Sequence, residues 1–189
     1  MSIERFPAFF GYGSLVNRAT HDFAPAMPAR LRGWRRVWRH TVLRPYAYLS
    51  VEPANDEIDG LVAAVPGADW TALDLREAAY GRSVLEPAYL SHGADWAQSV
   101  EIYAVAAGHA DPDAHHPILL SYLDVVVQGF LREFGDEGAF RFFASTHGWE
   151  AGVFDDRTAP IYSRPCKLTT AESSFVNDQL AALGITSFR

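Results

Sequence analysis

The sequence predicts an α+β domain, on three observations. Strand-like segments fill roughly the first hundred residues, helical spacing governs the rest, and no linker-like stretch separates the two halves. Hydrophobic residues make up 49% of the 189 positions and aromatic residues 13%, enough apolar surface for one packed core. Residues 1–189 are therefore read as one domain.

In chain order, residues 6–12 read as a first strand, ending with Phe9-Phe10 in the turn Gly11-Tyr12-Gly13-Ser14-Leu15. Segment 30–41 alternates Arg30, Arg32, Arg35, Arg36 and Arg39 with Leu31, Trp34, Val37 and Trp38, as expected of a strand with one solvated face. Strand segments 47–51 and 58–65 flank the turn-like Asn55-Asp56-Glu57. Thr71 and Asp74 stand at capping-box spacing, which opens a short helix expected to stop near Tyr80-Gly81 with Asp74 in a capping role. Residues 82–85 and 99–106 read as extended. From Pro117 onward, Leu119, Tyr122, Val126 and Phe130 keep helical spacing as far as Phe134-Gly135. Two more helices are expected at 136–146 and 171–183.

Composition excludes several functions. The formal net charge is −7 and there is no long basic run, which argues against nucleic acid and anionic membranes as partners. The N-terminus lacks the pattern of a signal peptide, and no apolar run reaches membrane-spanning length. Cys166 is the single cysteine, so no intrachain disulfide can form and a reducing, cytoplasmic setting is expected.

Two features carry chemistry. The turn at Tyr12, Gly13, Ser14 and Leu15 can aim successive backbone N–H groups at one spot, holding a carboxylate or phosphate without a positive side chain. The same residues also serve as an ordinary hairpin turn. Glu77 lies at the end of the short helix beside Ala78 and Ala79, where it can project into a cavity as a general base and acid or lie solvated on the helix surface. The segment with His109, Asp111, Asp113, His115 and His116 lacks metal-site spacing and reads as a polar loop, so no metal is assigned. Asp155-Asp156-Arg157, near Tyr162 and Arg164, reads as a salt-bridged turn that could edge a pocket. Ser14 and His147 do not form a hydrolase site, because Leu15-Val16 follows the serine where a nucleophile elbow needs glycine.

Tyr12-Gly13-Ser14-Leu15, then Leu73-Asp74, Glu77, Tyr80 and Arg82 some sixty residues later, resembles the γ-glutamylcyclotransferase-like superfamily, which includes ChaC-like enzymes and plant avirulence-induced proteins. The stretch from Leu119 to Arg164 is also similar to the C-terminal part of bacterial ChaC-like members. Ala78 stands where the family usually has glycine, Leu15 where some members have asparagine, and no leaving-group pattern is matched. The resemblance implies a small, partly closed mixed β-barrel flanked by helices, with Glu77 as catalytic base and acid. It further implies that Tyr12, Gly13, Ser14, Leu15 and Tyr80 bind a small γ-glutamyl substrate, glutathione among the candidates, and that no cofactor is required. A catalytically silent metabolite-binding module of the same fold is the alternative, and a surface protein without an enclosed cavity is a second.

Overall fold

The computed structural model describes residues 4–185 and 187–188. The first half of the chain supplies strands β1 (Phe6–Gly11), β2 (Ala26–Arg39) and β3 (Tyr48–Ala64), helix α1 (Thr71–Arg76), and strands β4 (Tyr80–Val84), β5 (Leu90–His92) and β6 (Ala97–Val105). These six strands lie in the order β4-β6-β1-β3-β2-β5. β1 is central, parallel to β6 and antiparallel to β3.

The second half contains β7 (Ile118–Leu119), α2 (Leu120–Ser145), β8 (Thr146–His147), β9 (Val153–Phe154), α3 (Thr170–Ala182) and β10 (Ser187–Phe188). β8 adds to the large sheet beside β2, while β10, β9 and β7 form a small parallel sheet. Leu123, Val126, Phe130 and Phe142 of α2 share one buried core cluster with Phe10, Leu31, Val62 and Ile102 of the sheet. Each such buried side chain contributes about 1.5–3 kcal/mol of apolar transfer. Gly135, at φ 65° and ψ −171°, breaks α2 into two segments where the sequence spacing places a boundary.

An α+β fold with a mixed sheet and flanking helices is what forms. The partly closed barrel does not. The large sheet is an open path whose ends, β4 and β5, do not pair with each other. Closure requires the two edges to exchange hydrogen bonds. Here β5 has only three residues, and β4 is solvated, with Arg82 engaged by Asp74 and Glu101 at 3.0 and 2.8 Å.

Three local expectations are also corrected. Asn55-Asp56-Glu57 is not a turn but lies within the continuous 17-residue β3, opposite an irregularity between Arg32 and Trp34 of β2. Cross-strand ion pairs, including Arg30–Glu57 at 3.3 Å, suit this charged segment to strand pairing. The same irregularity holds Gly33 at φ 79° and reverses the inward phase of β2. Arg36 consequently points into the core rather than joining the solvated arginines, and is 1% exposed. It donates to the carbonyls of Tyr12 (3.1 Å) and Asp59 (2.5 Å) and to Ser145 Oγ (3.0 Å), under the rings of Phe130 and Phe142. Burial pulls its pKa down to about 9.

Helix α1, finally, ends at Arg76, well short of Tyr80. Its first turn is held by Asp69, whose carboxylate accepts from the Thr71 amide at 3.1 Å, and not by a Thr71–Asp74 box. Asp74 instead accepts the Tyr103 hydroxyl proton at 2.5 Å and pairs with Arg82.

Candidate active site

The turn after β1 is fixed from behind. Val16 N–H donates to the Gly13 carbonyl (2.9 Å) and Asn17 N–H to the Ser14 carbonyl (3.1 Å), winding residues Ser14–Val16 into a single tight turn. The Asn17 side chain donates to Val125 O and Gln128 Oε1 of α2 at 3.0 and 3.1 Å, and Arg36 holds the Tyr12 carbonyl. Gly13 has no room for a side chain. A Cβ there would lie 2.8 Å from the Tyr122 hydroxyl and 3.2 Å from Leu49 Cδ2. The Tyr122 hydroxyl is close enough to accept a hydrogen bond from the Ser14 amide.

Glu77 reaches this turn because α1 stops early. Leu73 is fully buried in a cluster with Phe9, Leu15 and Tyr103, which pins α1 beside the turn. Glu77 then caps the helix at φ −100°, ψ 29°, its N–H on Leu73 O (2.9 Å) and its carbonyl accepting from Tyr80 N–H (2.8 Å). Its side chain is 14% exposed. Arg76 bridges acid and turn: Nε lies 3.3 Å from Glu77 Oε1, Nη2 donates to Ser14 Oγ (3.2 Å) and Thr20 Oγ1 (3.1 Å), and Nη1 to Thr20 O (2.8 Å).

Burial raises the Glu77 pKa above the usual carboxylate range, and the positive charges of Arg76 and Arg164 only partly oppose it. Three tyrosines around the acid, Tyr12, Tyr80 and Tyr122, are pushed up by their own burial, with Glu77's charge adding to the effect. They remain neutral hydrogen-bonding groups at physiological pH. A buried carboxyl with a raised pKa beside neutral hydroxyls is a setting suited to moving a proton.

A cleft of about 920 Å³ opens over the acid, lined by residues that include Ser14, Tyr48, Glu77, Tyr122 and Arg164. Beside it lies a recess of only about 20 Å³ lined by Tyr12, Gly13, Ser14, Leu15, Glu77 and Tyr80, the six residues singled out from the sequence. Ser14, Glu77, Tyr80 and Tyr122 border both spaces. The Tyr12 and Tyr80 hydroxyls already donate to backbone carbonyls, of Tyr103 (2.6 Å) and Leu49 (2.9 Å), so these residues offer ring surface and an acceptor oxygen.

The other candidates separate. Asp156 accepts from the amide and hydroxyl of Ser121 at 2.7 and 2.5 Å, and Arg157 grips Asp124 with two 2.7 Å bonds. That turn anchors its loop to α2, while Ile161, Tyr162, Ser163 and Arg164 after it line the cleft. Among the described residues no three metal-ligating side chains group closely enough to hold an ion; His109 borders the cleft, with Nδ1 2.9 Å from the Ala79 carbonyl. Burial pushes the Cys166 thiol up to about 11, so it stays protonated near neutral pH. Among the described residues no helix is long and apolar enough to cross a membrane. Sequence reasoning missed Arg76 and Tyr122 as parts of the site. Arg76 adjoins Glu77 in sequence, which was the available signal; Tyr122 read only as a helical core position.

The sequence matches no protein-family model and no curated protein. Solved structures do match. YkqA from Bacillus subtilis superposes with a TM-score of 0.58 at 17% identity, over 77% of this chain and 57% of that one. The chain thus spans little more than half of YkqA. A yeast γ-glutamyl cyclotransferase specific to glutathione gives a TM-score of 0.46 at 11% identity, over 95% of this chain and 97% of that one. An Arabidopsis thaliana protein solved in solution gives 0.41 at 24% identity, over 60% and 70%. The likeness to YkqA shows a shared fold.

Proposed function

We propose that the chain is a γ-glutamylcyclotransferase, converting a γ-glutamyl amide to 5-oxoproline and a free amine. One observation carries this reading: the Glu77 carboxyl and the Tyr12–Leu15 turn border one recess, with Arg76 touching both. A binding module has no need of a buried acid with a raised pKa facing its ligand.

The chemistry begins with the substrate's α-ammonium, which cannot attack until it loses a proton. Glu77 in its ionised form takes that proton, with Arg76 at 3.3 Å helping to keep the carboxylate charged in a buried position. The freed amine attacks the γ-carbonyl carbon of the same molecule, and the carbonyl electrons move to oxygen. Glu77 gives its proton to the departing nitrogen, the bond to that nitrogen breaks, and the carbonyl re-forms as a lactam. The second proton of the ring nitrogen returns to Glu77 and passes to the released amine.

Because nucleophile and electrophile belong to one molecule, the end of the cleft at Ser14, Glu77 and Tyr80 contributes by holding the folded conformer. Backbone N–H groups of the turn are the candidates for receiving the α-carboxylate and the transient oxyanion. Neutral tyrosines line the rest of the recess and add no competing charge.

The test is release of 5-oxoproline, read by mass spectrometry, from a panel of γ-glutamyl compounds including glutathione. Glu77→Gln is expected to lower turnover by roughly 10²–10⁴-fold with unchanged circular dichroism, the range one general base supplies. Full activity in that variant removes Glu77 from the mechanism. A folded chain that binds the panel without turnover is instead the silent module.

A further inference from the structure

The cleft above Glu77, at about 920 Å³, is far larger than a γ-glutamyl group, and its walls have a distinct chemistry. Leu43, Leu75 and Ile161 are 42%, 78% and 52% exposed, three of the eight large apolar side chains left exposed among the described residues, and all three border this cleft. They come from three separate parts of the chain, so no single amphipathic element accounts for the patch. An aromatic ladder runs inward beside them. Tyr46 stacks on Tyr48 with centroids 5.7 Å apart at 29°, and Tyr48 meets Tyr80 edge-on at 6.0 Å. Tyr80 in turn borders the recess that holds Glu77.

Charge adds a second element. Arg44 and Arg164 also line the cleft and are exposed, and among the described residues neither lies within 4.0 Å of a carboxylate. Most other arginines of this acidic chain are paired. Arg164 is close enough for its field to act on Glu77, so both face the same space.

Resting on the cyclotransferase reading, we propose that this cleft is the leaving-group subsite and that it selects γ-glutamyl compounds whose departing amine is a bulky apolar or aromatic amino acid, its carboxylate facing Arg44 and Arg164. The apolar rim loses water when such a side chain covers it, and the tyrosine ladder offers ring faces and edges for an aromatic group. A leaving glycine covers none of this surface. A bare amine leaves both arginines unmatched.

The experiment compares γ-glutamyl-phenylalanine, γ-glutamyl-glycine and γ-glutamyl-phenethylamine, following 5-oxoproline. The expected kcat/KM for the phenylalanine compound exceeds that for the glycine compound by about 10-fold or more, as burying an aromatic side chain warrants. A Leu75→Ser/Ile161→Ser variant, altered only at exposed positions, is expected to bring that ratio toward one. Arg164→Gln is expected to raise KM for the phenylalanine compound more than for phenethylamine, which has no carboxylate to lose. Equal kcat/KM for phenylalanine and glycine, or a ratio that survives the double variant, overturns the subsite while leaving the cyclotransferase reading standing. If none of the compounds releases 5-oxoproline, that reading fails, and calorimetric affinities of the same compounds decide the subsite. About 10-fold tighter binding of the phenylalanine compound sustains it, and equal affinities overturn it.

Discussion

The inner recess and the outer cleft share Ser14, Glu77, Tyr80 and Tyr122, yet they are built on opposite principles. In the recess every wall is tied down. The Tyr12 and Tyr80 hydroxyls donate to backbone carbonyls, the Ser14 hydroxyl accepts from Arg76, and Gly13 has no space for even one methyl group. The cleft is wide, its apolar side chains stand in solvent, and two of its three arginines, Arg44 and Arg164, lack a carboxylate within ion-pair distance among the described residues. Rigid packing suits the end of a substrate where bonds change, because an error of about 1 Å there can cost 10²-fold in rate. A looser, apolar mouth suits the end where identity is chosen, because discrimination by apolar contact is worth only about 10–200-fold.

Substitutions in the two regions put that contrast to the test. The largest effect after loss of Glu77 itself belongs to Gly13→Ala. Its added methyl meets the Tyr122 hydroxyl at 2.8 Å, so the turn must shift, and kcat/KM is expected to fall on the order of 10²-fold with every substrate. If that variant keeps wild-type kinetics, the recess is not tight.

Arg76→Met is expected to move the acidic limb of the kcat/KM profile to higher pH. Arg76 opposes the burial that raises the Glu77 pKa, so removing its charge lets the carboxyl hold its proton further up the scale, and the active ionised form appears later. Arg76→Lys keeps a charge and should leave the limb nearer its original place. A limb that does not move in Arg76→Met assigns it to a group other than Glu77.

The smallest effect is on stability. Burial raises the folded-state pKa of Glu77 above its unfolded value, so ionisation costs the native state stability as pH rises through the folded pKa. The neutral Glu77→Gln variant avoids that cost. Its Tm is expected to exceed that of the parent slightly at neutral pH, with the difference fading below the ordinary carboxylate range, where both side chains are uncharged. Thermal melts across pH read this directly, and a variant less stable at neutral pH would mean the ion pair with Arg76 outweighs desolvation.

Much of this organisation was legible in local pattern. Gly135 at the break in α2 and the strand running into Gly11-Tyr12-Gly13 both follow from spacing and from what glycine does to backbone, whereas the capping box formed at Thr169 and Glu172 rather than at Thr71 and Asp74. The six site residues were likewise chosen from sequence, and they do border one recess. Arg36 was not legible as a core residue, because its inward direction depends on the Gly33 irregularity, which reverses the alternation of β2. The open sheet was hidden for a similar reason. Whether β4 and β5 meet depends on the path of every strand between them, and on Arg82 finding Asp74 and Glu101 at the edge.

Local pattern set most segment types, the position of Glu77 near the end of a short helix and the glycine turn, since these depend on backbone preferences over a few neighbouring residues. Only the tertiary structure decided that α1 stops at Arg76, that Leu73 pins it beside the turn, and that Arg76 and Tyr122 complete the walls around Glu77. It also decided that Leu43, Leu75 and Ile161 meet at one mouth. Those are matters of distance between segments remote in the chain, set by how the core packs, and no local propensity encodes them.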